Sequence, residues 1–131
     1  MPSLDTNVLI RYLVKDDARQ TRKAAEYLAR HTNSDQYLFI PVSVLLETEW
    51  VLRSVYGFRK EAFIDVLVSL LETKEVRISD EAAIELAVHF FRENNVDFAD
   101  CVHVALAHLN DMLPMVTFDR GAAKVDGVQL L

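Results

Sequence analysis

Four acidic residues stand where carboxylates could do chemistry: Asp5, Glu47, Asp100 and Asp119. Carboxylates gathered without matching Lys or Arg repel each other, and each unit by which a pKa rises represents about 1.4 kcal/mol. A fold that keeps such a cluster usually supplies a compensating cation. Hard oxygen ligands select Mg²⁺ or Mn²⁺. Because such ions activate water and neutralise phosphate, these residue types point to phosphodiester hydrolysis.

Each of the four acids also has a local structural explanation. Asp5 is of a type favoured at helix N-caps. Asp100 could form a capping pair with Asp97, three residues before it. Glu47 could complement a helix dipole or pair with Arg53, and the last acid could be a turn residue. The functional interpretation therefore depends on all four acids lying at one edge of the fold.

The elements that must position these acids alternate along the chain. The predicted strands cover residues 3–4, 37–40, 76–78, 115–118 and 128–130, of which the first is unusually short and the last lies at an edge. The predicted helices cover residues 7–15, 17–31, 43–55, 60–72, 79–93 and 97–109. This alternation implies a parallel sheet with helices on both faces. Sites in such sheets form beyond the carboxyl ends of the strands, where the four acids are expected.

Composition favours one folded domain. The length of 131 residues, with 51% hydrophobic and 26% charged residues, predicts a single domain over residues 1–131. One cysteine, Cys101, excludes an intrachain disulfide. No apolar run is long enough to span a bilayer, and the first residues lack the features of a signal peptide. The default expectation is a cytoplasmic protein without a membrane segment.

The charge distribution is uneven. The net charge of −6 argues against nucleic acid as a partner, since phosphate contacts require Lys and Arg. Residues 11–30, however, hold six basic and three acidic residues, which leaves a local charge of +3. This stretch is either a guide for an RNA backbone or an ordinary solvated helix face.

Four segments resemble, in order, the motifs of PIN-domain proteins. They are Asp5-Thr6-Asn7 after the first strand, Ile40 to Glu47, Asp97 to Ala107, and Val116 to Asp119. Together they cover nearly the whole chain. The length and the absence of fused domains look most like VapC-type toxins of bacterial or archaeal toxin–antitoxin pairs.

This resemblance implies a three-layer α/β/α sandwich with a central parallel sheet. It also implies an endoribonuclease dependent on Mg²⁺ or Mn²⁺, a homodimer, and inhibition by a small VapB-type antitoxin. The acidic metal site that it implies consists of Asp5, Glu47, Asp100 and Asp119. The supporting polar residues that it implies are Thr6 or Asn7, and Thr117. Asp97 is an extra carboxylate that either joins the site or caps the helix.

Two other interpretations use similar chemistry. A phospho-acceptor domain also places aspartates and Mg²⁺ on a parallel sheet, but it requires a Lys at a late strand end, where Thr117-Phe118-Asp119 stand. A haloacid-dehalogenase-type phosphatase requires a second Asp two residues after the first, and that position is Asn7. A non-catalytic PIN-like module that binds RNA or protein is the remaining alternative.

Other side chains are predicted to serve packing. Cys101 is expected to be buried, and Trp50, Phe90 and Phe91 to lie in the core or on a dimer surface. The helix over 60–72 is broadly apolar, which fits either a core or an interface with a subunit or antitoxin. The predicted inner side of the helix over 17–31 comprises Ala18, Ala25, Leu28 and Ala29.

Overall fold

The computed structural model describes residues 1–32 and 36–131. The helices of this part are α1 (Thr6–Val14), α2 (Ala18–Thr32), α3 (Val42–Ser54), α4 (Lys60–Glu72), α5 (Glu81–Glu93) and α6 (Phe98–Leu109). The strands are β1 (Leu38–Ile40), β2 (Val76–Ile78), β3 (Met115–Thr117) and β4 (Val128–Leu130). A short 3₁₀ helix, Ala122–Lys124, precedes β4. The predicted α/β class is confirmed.

The chain forms two compact units, Met1–Ser79 and Asp80–Leu131. The first unit contains β1 paired in parallel with β2, and a single parallel bridge joins Ser3 to Phe39. The second unit contains β3 paired in parallel with β4. Parallel pairing is therefore confirmed within each unit. The expectation that residues 1–131 form a single domain stays a prediction.

The core of the first unit includes one face of α4. Phe63, Ile64, Leu67 and Leu70 recur at helical spacing and are buried. Of the two interpretations of this helix, the structure shows core packing for that face. None of the helices in the described ranges combines the length and the apolar character that crossing a membrane requires.

The inner side predicted for α2 was wrong for its three alanines and right for Leu28. The structure buries Ala24 and half-buries Tyr27 and Leu28, whereas Ala25 and Ala29 are exposed. Alanine gives a weak periodic signal because its methyl group is small. The buried side of α2 instead includes the larger Tyr27 and Leu28, whose burial removes more apolar area from water than burial of alanines would.

A polar network joins α1 to the start of α2 and to the segment after α3. The Tyr56 hydroxyl donates to Asp16 Oδ2 at 2.6 Å. Arg11 Nη1 lies 3.1 Å from Asp16 Oδ1 and 3.1 Å from the Tyr56 hydroxyl oxygen. The hydrogen bond from Tyr56 and the charge of Arg11 lower the pKa of Asp16. The network thereby ties residues that are 40 positions apart in the sequence.

Asp16→Asn is expected to lower the unfolding midpoint by about 1–3 °C at neutral pH, because the network is exposed. A carboxyl whose pKa is lowered by folding stabilises the fold above its unfolded pKa of about 3.9. That stability is lost as the pH falls through the folded pKa. Thermal unfolding followed from neutral pH to pH 3 checks this, with Asp65→Asn as the control. If the difference in unfolding midpoint between Asp16→Asn and the wild type does not become smaller as the pH falls, the stabilising role of the Asp16 carboxylate is contradicted.

The core of the second unit lies between α5 and α6. Phe91 and Phe98 pack edge to face with ring centroids 5.4 Å apart. Phe90, Phe91 and Cys101 are buried, as predicted. Trp50, in the first unit, is 56% exposed.

The prediction of a buried strand over 115–118 was wrong. The strand ends at Thr117, and Val116 and Phe118 are 53% and 80% exposed. Met115 and Thr117, on the opposite face, are half-buried. The alternation of exposed and half-buried residues is typical of a strand that is covered on one face and meets water on the other.

The start of β4 is fixed by a close approach to the end of α6. His108 Nε2 lies 2.9 Å from the Asp126 carbonyl oxygen, and the His108 ring lies 5.4 Å from that of Phe90. Gly127 follows at φ 90°, a conformation that glycine tolerates and other residues rarely adopt. Its carbonyl oxygen accepts a hydrogen bond of 2.9 Å from the Met115 N–H.

Candidate active site

Asp119 directly follows β3, and its carboxylate is held by the backbone. Oδ1 accepts hydrogen bonds from the N–H groups of Gly121 at 2.7 Å and Ala122 at 3.1 Å. The Asp119 N–H donates to Thr117 Oγ1 at 3.0 Å. The hydrogen bonds shown for this carboxylate all use Oδ1, so Oδ2 is the oxygen that it can offer to a ligand. Thr117 supports the turn that orients this carboxylate.

Asp97 and Asp100 lie at the start of α6. Asp97 is the N-cap residue, but its side chain makes no capping hydrogen bond in the described structure. Asp100 lies in the first turn, where the sequence placed it. The alternative of a reciprocal capping pair is therefore not what the structure shows.

The three acids of the second unit influence one another electrostatically. Burial raises the pKa of Asp100, and the charges of Asp119 and then Asp97 raise it further, while His103 opposes them. A shift of this kind means that the ionised form of Asp100 is disfavoured in the protein alone. A cation placed among these carboxylates would relieve both burial and repulsion.

Asp5 lies at the N-terminus of α1 in the first unit. It is the N-cap residue and is exposed, and its side chain makes no capping hydrogen bond in the described structure. Thr6 is buried, whereas Asn7 is exposed and lines a groove of about 430 Å³ between α1 and α2. The structural explanation of Asp5 as a side-chain cap thus loses its support.

Glu47 is the sixth residue of α3, in its second turn, and its side chain is exposed. The ion pair that the structure shows for Arg53 is with Glu49, at 3.0 Å. Glu49 is buried, and sequence reasoning missed it, although its spacing of four residues from Arg53 is the spacing of helix ion pairs. Next to it, the buried Thr48 hydroxyl has no hydrogen-bond partner among the described residues.

In the second unit, the charges of Asp119 and Asp97 both act on Asp100. In the first unit, Asp5 is the N-cap of α1 and Glu47 lies on α3. No set of three or more Asp, Glu, His or Cys within residues 1–32 and 36–131 has the arrangement of a metal site. The donor chemistry still fits a hard divalent cation, because carboxylate oxygens predominate and their charge is poorly balanced. Assembly of all four acids into one site stays a prediction.

The sequence of this chain is similar to those of known proteins over nearly its whole length. The family model described as PIN domain matches residues 3–128. The VapC ribonuclease of Aquifex aeolicus (strain VF5) is 22% identical over 125 residues, which cover 95% of this chain and 92% of that protein. The match to the family model spans both units and contains every candidate site residue named above.

Proposed function

Because this chain belongs to the PIN domain family, we propose that it is a VapC-type toxin that hydrolyses RNA in a metal-dependent reaction. The family and the ribonuclease relative support a nuclease. The single observation that carries the proposal is the match of the PIN domain model over residues 3–128, which contains Asp5, Glu47, Asp100 and Asp119. Asp119 follows a strand and Asp97 and Asp100 lie at a helix start, and their carboxylate oxygens are ligands of the kind that divalent cations prefer.

In this proposal Asp5, Glu47, Asp100 and Asp119 hold Mg²⁺ or Mn²⁺, and residues 1–131 act as one PIN domain. When bound, the cation would activate a water and neutralise charge on the phosphodiester. The chain contributes carboxylates in fixed positions: the backbone turn after β3 orients Asp119, and the first turn of α6 presents Asp100. Thr6, Asn7, Thr117 and Asp97 would support these ligands through polar contacts.

The substrate proposed is single-stranded or loop RNA, encountered in the cytoplasm. Arg19, Arg22, Lys23 and Arg30 of α2 are exposed, and Lys23 also lines the groove between α1 and α2. Within the same stretch, Arg11 is engaged with Asp16 and Tyr56 and so contributes less to this surface. The exposed cations could follow an RNA backbone, since phosphate contacts do not require a base sequence.

A VapB-type antitoxin and a second copy of the chain are the proposed protein partners. The name of the Aquifex aeolicus relative supports the antitoxin. An Arg or Lys from such a partner would compete with the cation for the carboxylates. A short open reading frame beside the gene, encoding a protein that co-purifies with this chain, would test the pairing.

Asp5→Asn is expected to reduce RNA cleavage more than about 100-fold, because even outer partners of metal ligands typically cost 10- to 100-fold. The assay follows a labelled single-stranded RNA with Mg²⁺, with Mn²⁺ and with EDTA. Asp65→Asn, which changes an exposed acid of the same unit, is the control. Circular dichroism should show both variants folded. Cleavage that persists in EDTA, or in Asp5→Asn, would reject the proposal in favour of another mechanism or a contaminating nuclease.

A further inference from the structure

Phe118 is 80% exposed, more than any other large apolar side chain among the described residues. Burying an aromatic ring of this size would be worth roughly 2–3 kcal/mol, so this ring adds little to the stability of the fold. Isolated exposed apolar residues are common and carry no meaning by themselves. The position of this one, between the last residue of β3 and Asp119, is what distinguishes it.

The backbone on both sides of Phe118 is fixed. The Thr117 carbonyl oxygen accepts a hydrogen bond of 2.8 Å from the Leu131 N–H. The Asp119 N–H donates to Thr117 Oγ1, and Asp119 Oδ1 is bound by two backbone N–H groups. The exposed ring therefore projects from a rigid support. A fixed backbone reduces the conformational entropy that is lost when a ligand covers the ring.

Arg120 is exposed on the other side of Asp119. The α-carbons of residues 118 and 120 can be no more than about 7.6 Å apart, because consecutive α-carbons are separated by about 3.8 Å. An aromatic face and a guanidinium thus flank a candidate metal ligand within a short span. Aromatic rings stack on bases and guanidinium groups bind phosphates, which is the combination used for single strands.

We infer that Phe118 and Arg120 form a nucleotide-binding subsite beside Asp119. The Phe118 ring stacks on a base of single-stranded RNA, and the Arg120 guanidinium binds a neighbouring phosphate. The inference rests on the proposed function, because it places the subsite next to a carboxylate of the proposed metal site. A second copy of the chain is a poorer occupant, since covering Phe118 would also desolvate the charges of Asp119 and Arg120.

The test measures binding of a labelled single-stranded RNA by fluorescence anisotropy in EDTA, where metal-dependent cleavage cannot interfere. Phe118→Ala and Phe118→Leu should each raise Kd about 10-fold, and Phe118→Trp should retain binding, because an aromatic face and not apolarity is required. Arg120→Ala should weaken binding and reduce its salt dependence. Trp50→Ala, which removes an exposed aromatic ring of the first unit, is the matched control and should bind as the wild type does.

Two results would overturn the subsite. One is a Phe118→Leu protein that binds RNA like the wild type. The other is a Phe118→Ala protein whose oligomeric state changes in light scattering while its RNA affinity does not, which would make Phe118 a contact between copies. An unchanged Kd beside metal-dependent cleavage rejects the subsite and leaves the nuclease proposal standing. The opposite outcome is also distinguishable. If the Phe118 variants bind RNA more weakly but the wild-type protein does not cleave RNA, the subsite is supported and the nuclease proposal is rejected.

Discussion

Asp100→Asn is expected to reduce RNA cleavage more than about 100-fold and, at the same time, to raise the unfolding midpoint of the metal-free protein by roughly 2–5 °C. The loss follows from removing a proposed metal ligand. The gain follows from the raised pKa of Asp100, which burial causes first and the charges of Asp119 and Asp97 increase. Activity and stability should therefore change in opposite directions at one residue.

The pH dependence of this effect has a definite sign. A carboxyl whose pKa is raised by folding stabilises the fold only below its unfolded pKa of about 3.9. That contribution is lost as the pH rises through the folded pKa, so at neutral pH the ionised Asp100 is a net cost. The stability of Asp100→Asn relative to the wild type should grow from about pH 4 towards neutral pH.

Differential scanning calorimetry in EDTA, repeated with added Mg²⁺, measures both parts. Mg²⁺ should stabilise the wild type more than Asp100→Asn, since a ligand that binds the folded state raises its stability. Glu85→Gln, at an exposed position of α5 in the same unit, is the control for loss of one negative charge. A variant less stable than the wild type at neutral pH would contradict the electrostatic account of Asp100.

Gly127→Ala is expected to destabilise the protein by about 3 kcal/mol, since a strained φ and a steric overlap act together. A Cβ at this position would lie 2.6 Å from His108 Nε2 and 3.0 Å from Leu113 Cδ2, with φ at 90°. To accommodate it, the ring of His108 would have to leave the Asp126 carbonyl oxygen.

Gly57→Ala provides the comparison, because φ there is 67° and a Cβ would meet no atom within 4 Å. It should cost only about 1 kcal/mol, from backbone strain alone. Urea unfolding of the two variants separates the contributions of strain and overlap. Equal losses would show that the contact between Gly127 and His108 does not constrain β4.

Elements with a strong apolar period were predictable from the sequence. The bounds of α4 at 60–72 and of β2 at 76–78 are those predicted. Their large apolar residues can face only one way without losing burial. The inner side of α2 was not predictable because alanines carry little of that signal. The exposed face of β3 was missed because four consecutive apolar or β-branched residues are as typical of a half-covered strand as of a buried one.

The candidate acids were identified from their order after predicted strands and from the family resemblance. Their electrostatic relations depend on tertiary distances that the sequence does not contain. The influence of Asp119 on Asp100, across 19 positions of sequence, is of this kind. The ion pair between Glu49 and Arg53, by contrast, was predictable from its spacing of four residues on a helix.

A carboxylate already tethered by two backbone N–H groups need not be ordered when a ligand arrives. In the proposed site, Asp119 would therefore bind with little loss of entropy, and it would do so through Oδ2 alone, because Oδ1 accepts the two backbone hydrogen bonds. Such a carboxylate suits a cation that takes one oxygen atom, in a fixed position, from this residue. The charge balance at the cation would then depend on its other ligands, which include water molecules and substrate phosphate.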